Sequence, residues 1–431
     1  MMVDNEATFP LSRSLRREKL HEIEQQKPEG SVRIPGKGKR NTYKIPLEFL
    51  SYNPHNTRFL TQAKTLEKRL GRPLSDENAS DVTEIERFIY DEKKDKNEST
   101  IQSLINDGQL QAGVVTNDGI ILSGNRRFRL LNEIVRNPDK YKKGKDSARY
   151  FEAAIIDEPL NKKDILRYES FYQYGTDDKV DYDPIQKYIG AYEQQQEGFT
   201  EQQIADNFLS LTGGKVNEVK KWLSVYKLML EYLTYIDEED VYTALESQEE
   251  AFLRLELDLK SLRGSAQKKG WNYNDLDIDD YKSVVFNYIR LKEATHNTRL
   301  FRDIFLDHSE WVVFRDSVLK AEEDADIASF DTYRSEAPEN EREEQISQRR
   351  THDFEDRVED KLTNAFRHAQ AHMNDKKDAE TPSHIIDQIL TKLNKLQSIL
   401  QVSPEYFELD DTREGISKIA KLSGRLKQDV D

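Results

Sequence analysis

Between residues 101 and 135 the spacing of apolar positions changes character three times. Ile101, Leu104 and Ile105 recur at helical spacing until Asp107-Gly108, a pair that stops a helix. Val114-Val115 and Ile120-Ile121-Leu122 are short aliphatic runs joined by Asn117-Asp118-Gly119. Asn, Asp and Gly tolerate the left-handed backbone of a tight turn, so this segment predicts a β-hairpin. Ser123-Gly124-Asn125-Arg126-Arg127 then leads into Phe128, Leu130, Leu131, Ile134 and Val135, a second helical stripe. Two arginines therefore stand where a strand hands over to a helix.

The same patterns divide the remainder. Residues 59–70 and 82–91 predict helices separated by Gly71-Arg72-Pro73, residues 91–98 an exposed charged loop, and residues 137–145 a polar loop. Tyr150–Ile156, apolar but for Glu152, reads as a closing strand. Residues 158–178 predict a connecting helix. Pro184 opens another with Ile185, Tyr188, Ile189 and Tyr192 on one face. Thr200 with Gln203 reads as a capping box ahead of Ile204, Ala205 and Phe208. Thr212-Gly213-Gly214 is a turn, and Val216, Val219, Trp222, Leu223 and Tyr226 repeat at helical spacing after it. Helix, small residue, glycine turn and helix make a helix-turn-helix pattern. Residues 240–262 and 281–305 are amphipathic, and Trp271, Tyr273, Tyr281, Phe286, Tyr288, Phe301, Phe305, Trp311 and Phe314 supply a core. Residues 321–349 are acidic and aperiodic and predict a linker. Residues 354–372 predict a helix. A further helix begins at Thr381-Pro382, where Ile386, Ile389, Leu393, Leu396 and Leu400 form a coiled-coil-like seam. After a turn at Pro404, Tyr406 and Phe407 add apolar surface, and Ile416, Ile419 and Leu422 lie on a last helix.

The resulting fold class is an α+β N-terminal domain followed by mostly α-helical domains. The divisions are a mobile basic arm at 1–41, an α/β domain at 42–157, helix-turn-helix at 158–236, helices at 237–320, linker at 321–349 and C-terminal helices at 350–431. In the arm, Ser12 caps a short helix to about Gln26. Arg13, Arg16, Arg17, Lys19, Arg33, Lys37, Lys39 and Arg40 make it basic, which fits a solvated tail or a nucleic-acid arm.

Charge narrows the function. The 431 residues are 34% charged, with a net charge of -16, which argues against coating nucleic acid non-specifically. Any DNA contact has to come from a local basic face. The chain has no cysteine, which excludes disulfides, thiol chemistry and Cys-ligated zinc. Lacking a transmembrane-length apolar run or a signal-peptide core, the sequence is expected to be cytoplasmic, from a bacterium or a phage or plasmid.

Candidate chemistry centres on the arginine pair. Unpaired N–H groups and the dipole at a helix start favour an anion, Gly124 permits close backbone approach, and an Arg fork matches a phosphate. The alternative is a solvated pair beside a tight turn. On the second helix of the helix-turn-helix, Lys215, Asn217, Lys220, Lys221 and Ser224 offer a basic, amide-bearing face for a major groove, with Glu218 opposing phosphate. His368 and His372 stand four apart, with His384 as a distant third candidate ligand, and metal binding is not expected. His296-Asn297-Thr298-Arg299 and Arg302 form a polar cluster more typical of helix caps than of a site.

Several of these features also resemble a known family. Gly124-Asn125-Arg126-Arg127, after a hairpin and before a helix, is similar to the second box of the ParB/sulfiredoxin superfamily. Lys44-Ile45-Pro46-Leu47-Glu48-Phe49-Leu50 with Asn53-Pro54-His55-Asn56-Thr57-Arg58 resembles its opening strand and Asn-Pro…Arg segment. Asp107-Gly108-Gln109-Leu110 ahead of Val114 fits its helix–Gly–strand step. The resemblance covers residues 42–157, and the helix-turn-helix resembles the DNA-binding half of ParB proteins. It implies a nucleoside triphosphate, CTP or ATP, bound at Gly124, Asn125, Arg126 and Arg127 with Arg58, with Mg2+ as a possible companion. It also implies a nucleotide–magnesium box at Glu169, Ser170 and Gln173, where Ser170 replaces the family's Asn and Tyr174 its Arg. Asn125 stands where many members carry an acid, and both departures weigh against hydrolysis. The expected protein is a nucleotide-responsive binder of double-stranded DNA that dimerises, or recruits a protein partner, through its C-terminal helices. The alternatives are a nuclease or phosphotransferase of the superfamily, and a non-catalytic interaction module of a plasmid, phage or defence system. A missing carboxylate near Arg126, with Asp118 and Glu133 not obviously placed, weighs against the enzyme.

Overall fold

The structure, a computed structural model, describes residues 11–144, 146–174, 183–264, 270–292, 294–402 and 410–430. Its N-terminal part is a mixed sheet of β1 (Gly30–Ile34), β2 (Gly38–Pro46), β3 (Gly113–Thr116), β4 (Ile121–Ser123) and β5 (Tyr150–Ile156), in the order β1-β2-β5-β3-β4. Only β3 and β5 run parallel, with Gly113 opposite Ala153; the other pairs are antiparallel. β5, apolar but for Glu152, lies in the centre, where Ala153 to Ile156 are buried on both faces. Phe151, Ala153 and Ile155 face one core with Tyr43, Ile45, Val115 and Ile121. Ala154 and Ile156 face the other, with Val114, Leu122 and Tyr168.

The first face is covered by α1 (Arg13–Glu24), α2 (Leu60–Leu70), α3 (Ala79–Glu92), α4 (Lys94–Asp107) and α5 (Asn125–Arg136), and the second by α6 (Lys162–Tyr174). Residues 1–10 of the expected mobile arm lie outside the described residues, and the rest of it is instead part of this unit. Leu20 and Ile23 of α1 are buried, and so is Arg16, whose guanidinium pairs with Asp76. β1 and β2 form a hairpin through Gly36 and Gly38, both at positive φ. The basic residues of this stretch concealed the alternation of Val32 and Ile34. The expected 91–98 loop is also corrected. Only Lys93 separates α3 from α4, and Asn97 is buried with its Nδ2 2.7 Å from the Tyr90 carbonyl.

The helical body comprises α7 (Ile185–Gln196), α8 (Glu201–Asn207), α9 (Leu209–Thr212), α10 (Val216–Tyr235), α11 (Glu249–Arg263), α12 (Asp275–Arg290), α13 (Ala294–Leu306), α14 (His308–Ala325), α15 (Phe330–Ser335), α16 (Glu343–Val402) and α17 (Asp410–Val430). One hydrophobic core runs from Ile185 through Trp222, Phe286 and Trp311 to Phe366, so the helices after residue 236 continue the packing of those before it. The 281–305 pattern breaks into two helices at Lys292, which takes φ +58°. The expected 321–349 linker is structured: Phe330 and Tyr333 of α15 pack on Val241 and Ile346. Residues 354–372 and the helix expected from 381 are parts of the single α16. Ile386, Ile389 and Leu390 on it, and Ile416, Ile419 and Leu422 on α17, are exposed. Pro404, Tyr406 and Phe407 lie outside the described residues. Among the described residues no helix is long and apolar enough to cross a membrane.

Candidate functional site

The Gly124 turn is set by one aromatic ring. Gly124 takes φ +101°, and a Cβ there would stand 2.8 Å from the Phe151 ring. A Cβ on Gly113 would stand 2.4 Å from the same ring. Two glycines thus let Phe151 fill the space under the turn and fix where α5 begins. Asn125 is buried and spans two segments. Its Oδ1 accepts from the Asn53 N–H at 3.3 Å, and its Nδ2 donates to the Ile121 carbonyl at 3.0 Å. Asn125 therefore ties the Asn53–Arg58 segment to the strand end and orients it.

Arg126 donates from Nη2 to Asn97 Oδ1 at 3.0 Å, while its buried Nε has no hydrogen-bond partner. Arg127 donates to the Gln111 carbonyl. Arg58 is half-buried on the neighbouring turn, held by its N–H to Asn56 Oδ1 at 3.0 Å. Among the described residues none of the three is in an ion pair. Burial, and then repulsion from Arg58, pull Arg127 down to about 10. Burial also lowers Arg126, with Glu92 opposing the shift and Arg58 adding to it. Three guanidinium groups are gathered with no carboxylate in ion-pair contact among the described residues, Glu92 and Asp95 acting on Arg126 only at longer range, an electrostatic cost that a bound anion would relieve.

One acid is present that the sequence reading missed. Glu92 ends α3, within electrostatic reach of Arg58 and Arg126, and neither of its carboxylate oxygens has a hydrogen-bond partner. Burial raises its pKa, while the two arginines and Lys93 oppose the rise. Its signal was helical spacing, since it stands seven residues after Ile85 and four after Phe88, on the buried stripe. The acids weighed from sequence are engaged elsewhere. Glu133 accepts from Arg129 at 2.9 Å, and Asp118 from the Thr116 hydroxyl.

The residues of the magnesium box serve packing contacts. Glu169 is buried, accepting from Asn53 Nδ2 at 2.9 Å and from the Thr57 N–H at 3.1 Å. Ser170 accepts from Gln194 Nε2 at 2.7 Å, and Gln173 is buried on the same helix. Glu169 thus positions the loop that carries Arg58. Burial pushes its carboxyl up to about 7, against the two hydrogen bonds, from an ordinary 4.5. The folded chain therefore holds this proton more tightly than the unfolded chain. The resulting stabilisation is complete below about pH 4.5 and lost as pH rises through about 7, a change on the order of 3 kcal/mol. Urea unfolding at about pH 5 and about pH 8 should show that fall. Glu169→Gln should flatten the slope, and an unaltered slope would mean the group ionises normally.

In the helix-turn-helix segment the capping box forms as read. Thr200 N–H donates to Gln203 Oε1 at 2.9 Å, and Gln203 N–H to Thr200 Oγ1 at 3.2 Å. Gly213 and Gly214 take positive φ, and Ala205, Phe208 and Val219 are fully buried between the helices. Lys215, Asn217 and Lys220 are exposed at the start of α10, and Lys221 is half-exposed. Ser224 differs from the expected open face because its hydroxyl is 3.2 Å from Glu256 Oε1 on α11. Lys220 lies 3.6 Å from Glu201.

The remaining candidates gather no site. The His368 and His372 rings are 6.2 Å apart, and His372 Nδ1 is 3.2 Å from Glu310. The side chains of His384 and of His296 to Arg299 lie outside the described residues, and Arg302 lies 3.9 Å from Asp258. Among the described residues no three metal-binding side chains converge. Comparison with protein-family models, with curated proteins and with solved structures finds no match for this chain.

Proposed function

We propose that this protein is a nucleotide-responsive DNA-binding protein. Its α/β domain takes a nucleoside triphosphate, CTP or ATP, at the turn into α5, and α8 to α10 engage double-stranded DNA. The observation that carries the proposal is the meeting of Arg58, Arg126 and Arg127 at a helix N-terminus with no ion-pair partner among the described residues. Phosphate oxygens would satisfy guanidinium donors and helix N–H groups together. Glu92, the unpaired acid beside Arg58 and Arg126, is left to accept from donor groups of the nucleotide. The DNA face is Lys215, Asn217, Lys220 and Lys221, with Glu201 and Glu218 at its margin favouring a specific over a general contact.

Glu92 also favours a second reading, phosphoryl transfer or hydrolysis. A buried carboxylate with a raised pKa beside arginines has the properties of a general base or metal ligand. The test of the main reading is fluorescence anisotropy with duplex DNA at low salt, with and without CTP, ATP or GTP and magnesium. The affinity should change with one triphosphate. Lys220→Glu combined with Lys221→Glu should weaken binding at least about tenfold and lower the salt slope by about 2. Wild-type protein with no DNA affinity at low salt would leave the helix pair a packing device.

A further inference from the structure

A cavity of about 560 Å3 lies where the α/β domain meets the helical body. Arg58 and Glu92 line one side, and Thr243, Arg290, Lys292 and Arg342 line the other. Its edge is held by polar contacts between the two parts. Glu246 accepts from Thr61 Oγ1 at 2.5 Å and from Gln62 Nε2 at 2.9 Å, and Arg87 lies 3.5 Å from Glu344.

The charges lining the cavity are unevenly satisfied. Arg87 is neutralised by Glu84 at 2.7 Å, and Arg342 is 3.1 Å from Glu344. Arg58, Arg290 and Lys292 have no ion pair among the described residues. Arg290 is 7% exposed and stacks 4.1 Å over the Phe354 ring, with Nε and Nη2 lacking any hydrogen-bond partner. Burial lowers its pKa, and Arg350 adds to the effect. Unmet donors in a buried guanidinium are costly to the empty chain. Across the cleft the Glu92 oxygens lack donors, and on the Arg290 side the Thr243 hydroxyl has no partner. A simple anion would meet the cations but also face unpaired Glu92, with Asp91, Glu246 and Glu355 in the same lining. The complementary ligand has an anionic end and a donor-bearing end, and the volume is within the range of small-ligand sites.

We infer that this cleft is a composite nucleotide site, in which phosphates at Arg58 extend toward Lys292 and Arg290 while sugar hydroxyls or base amino groups donate to Glu92. The inference rests on the nucleotide reading through Arg58 but assigns half of the site to the helical body. The ligand then clamps the two parts together, which gives residues 243–355 a role in nucleotide response.

The test is calorimetric titration of the intact chain with CTP, ATP, GTP and inorganic tripolyphosphate, in magnesium. Lys292→Gln combined with Arg342→Gln should weaken the preferred nucleotide at least about tenfold with an unchanged melting temperature. Arg290→Gln should do the same if it folds, and the first pair stands without it. Tripolyphosphate should bind at least about tenfold more weakly than the nucleotide, because it brings no donor to Glu92. Wild-type affinity in the Lys292/Arg342 variant, with loss in Arg126→Ala/Arg127→Ala, would overturn the composite site and leave the loop site standing. The reverse pattern would move the nucleotide out of the loop and into the cleft. No binding of any probe to the wild-type chain would overturn both.

Discussion

Alanine at both Arg126 and Arg127 is expected to abolish triphosphate binding and leave the chain folded. Each arginine would contribute about 1.5–3 kcal/mol through charge-assisted hydrogen bonds. Together that is a loss of roughly 10²- to 10⁴-fold in affinity. The cost to the fold is small for a particular reason. Arg127 is desolvated and repelled by Arg58, which is why its pKa falls to about 10. Removing it deletes a bond to the Gln111 carbonyl but also relieves the repulsion from Arg58. Arg126 gives up one bond, to Asn97. The melting temperature without ligand should therefore stay within a few degrees of wild type, while the shift produced by saturating triphosphate disappears. Calorimetry and thermal melting of the same samples measure both effects. Undiminished binding in the double variant would remove the phosphates from the α5 turn. A collapsed melting temperature would instead make the arginines structural, acting through Asn97 and Gln111.

What the sequence made legible here was local. β5 spans the residues read as the closing strand, Thr200 and Gln203 form their reciprocal cap, and α5 begins where the glycine turn placed it. Each of these is written in neighbouring residues: a mostly apolar run, an S/T-x-x-Q spacing, a glycine before a helical stripe. The misread features depend on partners distant in the chain. Arg16 looked like solvated charge because its partners, Asp76 and the Asp118 carbonyl, are 60 and 102 positions away. Residues 321–349 looked like a linker because two aromatic residues in an acidic stretch show no period, yet Phe330 and Tyr333 find a ready apolar site beside Val241. In the candidate site, Gly124 and the arginines were visible as a motif. Glu92 lay on a legible helical stripe but far from the motif in sequence, and Arg290 and Lys292 were not visible, because a cleft between two parts of a chain has no signature in either part alone. Ser224 failed in the same way, since only the packing of α11 against α10 brings Glu256 to it.

That dependence on distant partners sets the second large effect. Asp76→Ala should destabilise the chain by about 3–5 kcal/mol, the cost of leaving a buried charge without its partner. The Arg16 and Asp76 side chains are both 0% exposed. Asp76 accepts from Arg16 and from Arg13 Nε at 3.0 Å and Nη2 at 2.5 Å, while Arg16 Nη1 already lacks a partner. Burial alone would raise the Asp76 pKa, but the two guanidinium groups outweigh it and hold the carboxyl below its ordinary value. Its stabilisation is therefore present above the ordinary carboxylate range and lost as pH falls through the folded value. Arg13 is 46% exposed, so Arg13→Ala should cost no more than about 1 kcal/mol. Replacing both buried partners, Arg16→Met with Asp76→Leu, should recover most of the stability, because it removes the desolvated charges together. Urea unfolding of the three variants measures these differences, and their order is as informative as their size. If Asp76→Ala costs less than about 1 kcal/mol, α1 does not share the cooperative unfolding of the α/β domain and the basic N-terminal segment behaves as an arm. If the double replacement is as damaging as the single one, the loss is in packing around α1 rather than in an abandoned charge.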